Sequence, residues 1–142
     1  MRLLVRRLLP LAVAVLTVGA CGSAEPAVPQ AERVASARLV GPAAFAEAMR
    51  DPQRVVINVH TPDEGSIRNT DLAIPFDQLR DRADELPADR DSRLAVYCMS
   101  GNMSAIAVDT LAEMGYRDLT ELDGGMEALR RSGRTLVGTD NG

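Results

Sequence analysis

Two compact apolar runs, Val55-Val56-Ile57-Asn58-Val59 and Leu94-Ala95-Val96-Tyr97, constrain the fold more than any other part of the chain. Neither alternates apolar with polar residues, so each reads as a strand covered on both faces, the environment of a parallel sheet. Strand and helix patterns alternate around them. Ala37–Val40 reads as a short strand, and Pro42 suits the first position of a helix carrying Phe45, Ala48 and Met49 on one face. Leu72–Ile74 is another short strand, and Phe76 to Leu86 has helical spacing, with Leu79 and Ala83 inward and Pro87 as its stop. Ser104 is placed to cap a helix whose Ile106, Ala107, Leu111 and Met114 face inward until Gly115. Leu119–Leu122 supplies the last strand, and Gly124-Gly125 turns the chain into a final helix containing Met126 and Leu129. The alternation predicts an α/β domain with a mainly parallel sheet and helices on both faces. Right-handed crossovers then place the C-terminal ends of the strands along one edge, where ligands bind.

The chemistry expected at that edge is carried by Cys98. The second apolar run delivers it into Met99-Ser100-Gly101-Asn102-Met103-Ser104, directly before a helix. The backbone amides of Met99 through Ser104 can hold a sulfur anion, helped by a helix dipole whose end effects amount to roughly 0.3–2 kcal/mol. Gly101 permits the curvature that such a loop needs. His60 follows Asn58-Val59 at a second strand end and is expected near Cys98, where it reads as a loop histidine filling space. Asp63-Glu64 reads as a turn and helix-cap pair on a solvated face. A single histidine and a single unmodified cysteine do not make a structural zinc site, so no metal is expected.

The N-terminus sets the compartment. Arg2, Arg6 and Arg7 precede an apolar stretch from Leu8 to Val18, which is too short for a membrane span and reads as an export signal. It runs into Val18-Gly19-Ala20-Cys21, which resembles the lipobox of bacterial lipoproteins, in which the cysteine is lipidated and becomes the new N-terminus. The expected organisation is therefore a signal over 1–20, an Ala-, Pro- and Glu-containing flexible tether over 21–36, and a folded domain over 37–138. Cys21 would anchor the domain on the outer side of a cell membrane. With lipid on the Cys21 sulfur, Cys98 has no intramolecular partner for a disulfide and remains a free thiol or persulfide. Without the signal, 13 arginines face 20 acidic residues, a formal charge of −7 that excludes nucleic acid as a natural partner.

The loop from Cys98 to Ser104 closely resembles the active-site loop of the rhodanese-like sulfurtransferases. The likeness extends to Val55 through Glu64, to Gly65-Ser66-Ile67 with Ala73-Ile74-Pro75, to Gly115-Tyr116-Arg117-Asp118-Leu119, and to Leu122-Asp123-Gly124-Gly125-Met126. It implies a three-layer sandwich built on a sheet of five strands, a cysteine persulfide at Cys98, and no cofactor. The partners it implies are a small sulfur donor or a persulfidic protein on one side and a thiol acceptor on the other. Met99, Ser100, Gly101, Asn102, Met103 and Ser104 would bind the anionic donor, with His60 beside them.

Two positions depart from the family pattern. Met103 stands where most active members carry an arginine, and Asn58-Val59-His60 where the family shows an aspartate and an arginine. The first departure predicts poor thiosulfate turnover, since a thioether is apolar and polarisable where a guanidinium is a permanent cation. It also keeps open a non-enzymatic module that binds a protein or an anion. A sulfenic-acid redox cycle ranks lower, for want of a resolving cysteine. Phosphatase and arsenate-reductase chemistry is rejected, because those loops are one residue longer and end in an arginine, whereas here Met103 is followed by Ser104.

Overall fold

The structure, a computed structural model, describes residues 37–133. The expected signal, Cys21, the tether and residues 134–138 lie outside them. Five strands form one sheet: β1 (Arg38–Val40), β2 (Arg54–Asn58), β3 (Leu72–Ala73), β4 (Arg93–Tyr97) and β5 (Asp118–Leu122). Their order is β1-β5-β4-β2-β3 and every neighbouring pair is parallel. Three α-helices accompany it among the described residues: α1 (Pro42–Ala48), α2 (Asn102–Glu113) and α3 (Gly125–Arg131).

Period-two alternation sorts the strand residues into two cores. Ile57, Leu94, Val96, Cys98 and Leu119 pack with Ala107, Val108 and Leu111 of α2 on one face. Val56, Ala95, Tyr97 and Leu122 pack with Phe45 of α1 and with Met126 and Leu129 of α3 on the other. This is the three-layer arrangement expected, with β2 and β4 buried at the centre of the sheet.

The segment from Phe76 to Leu86 departs from the helix expected there. It is a series of turns closed by a single 3-10 turn at Ala83–Glu85. Its two anchors, Leu79 and Leu86, are nevertheless buried in the α2-side core. The span is short, lies between Pro75 and Pro87, and carries Asp77, Asp81 and Asp84, whose short carboxylates compete for backbone amides and weaken a helix. Leu79 is buried as expected, but Ala83, expected inward beside it, is only half-buried, and the regular hydrogen bonding of a helix is absent.

Helix α2 also begins earlier than its expected cap. Gly101, in the left-handed region at φ 104°, takes the N-cap position, and Ser104 lies inside the first turn. The buried stripe is consequently Ser104, Ala107, Val108 and Leu111, while Ile106 is 53% exposed. Successive helix residues turn by about 100°, which sets Ile106 on the face roughly opposite that stripe.

Candidate active site

Cys98 follows the last residue of β4 and points into the α2-side core, with 1% of its surface exposed. Its Sγ accepts a hydrogen bond from the Gly101 N–H at 3.1 Å. The left-handed turn at Gly101 folds the loop back so that its amide meets the sulfur three residues earlier. Of the amides expected around the sulfur, this is the one that reaches it within hydrogen-bonding distance among the described residues. Ser104 Oγ is the other polar contact, at 3.6 Å from Sγ.

The far side of the loop is held by α3. The Met126 and Glu127 amides donate to the carbonyls of Cys98 and Met99 at 2.9 and 3.0 Å. First-turn amides have no partner inside their own helix, so this contact satisfies two donors and fixes the peptide that carries the sulfur. Gly125 makes the approach possible, because a Cβ there would stand 2.5 Å from both carbonyl oxygens.

Around the loop, Ser100 and Asn102 are exposed, while Met99 and Met103 are half-buried. Met103 packs against the α2-side core and Met99 against the opposite one. Arg130 Nη1 lies 3.5 Å from Met99 Sδ, which sets one exposed cation beside the loop. Ser104, expected as a cap, is buried and joins three elements: its Oγ lies 3.0 Å from the Gly101 carbonyl and 2.7 Å from Glu121 Oε1.

Glu121 was not foreseen from the sequence. It sits in β5 at 7% exposure, and burial raises the pKa of its carboxyl above the ordinary glutamate value; the neighbouring charges of Asp109 and Asp123 push the same way, against the Ser104 hydrogen bond. Its signal was present in Leu119-Thr120-Glu121-Leu122, a carboxylate on the same inward phase as Leu119.

His60 is placed one residue beyond the register neighbour of Cys98, since Val59 N–H bonds the Tyr97 carbonyl at 2.9 Å. Its ring turns to Glu64, with Nε2 2.5 Å from Oε2, while Nδ1 is buried without a partner. No hydrogen bond joins it to the Cys98 loop among the described residues. Asp63 caps a turn through its Oδ1 and the Gly65 N–H at 3.0 Å, but no helix follows, so the helix-cap reading of Asp63-Glu64 is corrected. Asn58, also unforeseen as a structural residue, donates from Nδ2 to the Gly65 carbonyl and to Ser66 Oγ and accepts the His60 N–H, pinning this turn to β2.

Comparison with known proteins gives a consistent picture. Residues 42–132 match the family model of the rhodanese-like domain. The chain is 34% identical over 86 residues to a sulfurtransferase of Allochromatium vinosum, covering 58% of this chain and 78% of that one. It is 37% identical over 82 residues to the thiosulfate sulfurtransferase GlpE of Pseudomonas syringae, covering 58% and 68%. Among solved structures, a rhodanese-related protein of Thermoplasma volcanium superposes with a TM-score of 0.60 at 32% identity, over 70% of this chain and 97% of the other.

Proposed function

The chain belongs to the rhodanese-like domain family, and we propose that it is a sulfurtransferase working through a persulfide on Cys98. The observation that carries this reading is the 3.1 Å hydrogen bond from the Gly101 amide to Cys98 Sγ, made by a loop bent for that contact at the mouth of a helix. An N–H aimed at sulfur stabilises an anion, the form in which sulfur attacks as thiolate and is held as persulfide anion. In the first step the Cys98 thiolate attacks the outer sulfur of a sulfane donor; the new S–S bond forms as the donor's own S–S bond breaks, and its remainder leaves with the electron pair. In the second, an acceptor thiolate attacks the outer persulfide sulfur, and Cys98 leaves as thiolate.

The donor is a persulfide, small or protein-borne, in preference to thiosulfate. Met103 offers no charge to a dianion, and Arg130 is placed against Met99 at the rim of the loop. The domain works tethered through a lipidated Cys21 on the outer side of a membrane, a reading supported by the lipobox-like Val18-Gly19-Ala20-Cys21.

The test is intact mass after exposure to an excess of polysulfide. A gain of about 32 Da, one sulfur atom, that is abolished by Cys98→Ser supports the reading. No adduct, where a known rhodanese acquires one in parallel, overturns it and leaves a binding module. The 1% exposure of Cys98 and the apolar Met103 are the features that favour that second reading.

A further inference from the structure

Glu121 is the buried acid that the sulfur-transfer chemistry leaves unused. In the β4–β5 register it lies beside Val96, and Cys98 is two residues further along the same face. Ser104 of α2 covers both, with its Oγ 2.7 Å from Glu121 Oε1 and 3.6 Å from Cys98 Sγ. A hydroxyl has one proton to donate. Its possible acceptors are the Gly101 carbonyl at 3.0 Å and the carboxylate at 2.7 Å, and hydrogen bonds to a charged acceptor are about twice as strong as neutral ones. With the proton committed to Glu121, the lone pairs of Oγ are left to accept from the thiol. The result is a continuous donor chain from Cys98 S–H through Ser104 O–H to the Glu121 carboxylate.

We propose that Glu121 is a positioning residue for Cys98, receiving the thiol proton through the Ser104 hydroxyl as the sulfur attacks its donor. The Sγ–H bond breaks and its proton joins Ser104 Oγ, while the Oγ–H bond breaks and its proton joins Glu121 Oε1. The S–H electron pair stays on sulfur. The cluster carries one negative charge before and after, moved from carboxylate to sulfur, where the Gly101 amide meets it. Holding the charge at one matters in a buried site, where a second unpaired anion costs several times what it costs in water. When the acceptor releases Cys98, the proton returns by the reverse path.

The surroundings suit an acid able to hold that proton. The charges facing Glu121 are Asp109 of α2 and Asp123 beyond β5, both acidic. The cations of the neighbouring strands are engaged elsewhere: Arg38 of β1 and Arg54 of β2 bond Asp118 and Thr120, and Arg93 of β4 bonds Asp51. Glu47 of α1 pairs with Arg50. Among the described salt bridges none includes Glu121.

The purpose of the relay rests on the sulfur-transfer reading, but the relay itself is tested on the thiol alone, without any sulfur donor. The rate of iodoacetamide alkylation at Cys98 is followed in the full chain by peptide mass spectrometry, from roughly pH 4 to 10, a range spanning carboxyl and thiol titrations. The native chain is expected to show two rises, the lower one following ionisation of Glu121 and the upper one the thiol's own. Glu121→Gln, which keeps the shape and loses the base, is expected to lose the lower rise. Ser104→Ala loses the lower rise with the carboxylate still present, and Glu121→Asp keeps it. A single rise in the native chain overturns the relay, as does a lower rise that persists in Glu121→Gln or in Ser104→Ala. The native profile and Ser104→Ala decide the matter even if Glu121→Gln does not fold.

Discussion

Gly125 of α3 lies against the peptide carrying Cys98 so closely that a Cβ on it would stand 2.5 Å from the Cys98 carbonyl oxygen. The obstruction is backbone, which cannot swing aside as a flexible side chain does, and Gly125 also has φ 58°. Gly125→Ala should therefore cost the left-handed penalty of about 1–2 kcal/mol plus about 1–3 kcal/mol of overpacking. Gly101→Ala is the control, since φ is 104° there but a Cβ would meet nothing nearer than 3.6 Å. It should show the conformational cost alone, about 1–2 kcal/mol. Urea denaturation of the two variants checks the order, and equal losses would mean that α3 does not brace the loop.

The raised pKa of Glu121 makes a stability prediction of definite sign. A carboxyl whose folded pKa lies above its unfolded value binds protons more tightly in the native state, so its contribution is most favourable below the unfolded value and is lost as pH rises through the folded one. Glu121→Gln is not subject to that loss. The variant should gain stability relative to the native chain on going from about pH 4 to pH 7, a window that opens near the ordinary glutamate value of about 4.3. Urea midpoints of both proteins across that range read the difference directly; a difference independent of pH, or one that changes in the opposite sense, would contradict the shift.

The central sheet was legible because two of its strands announce themselves as compact, largely apolar runs, and because Cys98, Gly101 and the helix after them follow one another within a few residues. What sequence could not supply was the starting point of α2. Reading Ser104 as the cap placed its hydroxyl on the helix's own backbone; starting the helix at Gly101 turns the same hydroxyl toward Glu121. A shift of a few residues thus separates a cap from a bridge between strand and sulfur. The expected helix over Phe76–Leu86 failed for another reason: apolar spacing reports a tendency to burial, met by Leu79 and only partly by Ala83, not whether the backbone between such residues is regular. His60 was correctly brought to the strand-end edge, but its ring direction depends on Glu64, a local pairing that the strand pattern does not encode.

Tyr97 shows how much a single buried hydroxyl can organise. Its OH accepts the Ile67 N–H at 2.9 Å and lies 2.6 Å from Thr70 Oγ1, so it closes the loop between β2 and β3 against the α1 and α3 side of the core. Tyr97→Phe leaves the ring in place and the buried Ile67 amide without a partner, at a cost of about 1–3 kcal/mol. Hydrogen exchange at the Ile67 amide should accelerate along with the fall in stability. Unchanged protection at that amide would show that the Tyr97 hydroxyl is not what holds it.

Met103 tests what the loop is able to receive. The Gly101 amide and the first turn of α2 offer an anion partial charges only, whereas an arginine at position 103 would add a permanent cation with forked donors. One charge-assisted hydrogen bond to the donor is worth about 1.5–3 kcal/mol, so Met103→Arg should raise kcat/KM for thiosulfate roughly tenfold or more. The gain should be much smaller for an uncharged organic trisulfide, because that donor presents no anionic oxygens to the new guanidinium. Steady-state thiocyanate formation with cyanide as acceptor measures both donors on one scale. Equal gains for the two would mean that the substitution acts by opening access to the buried Cys98 and not by supplying charge, and no gain for either would place the limit on thiosulfate elsewhere than at position 103.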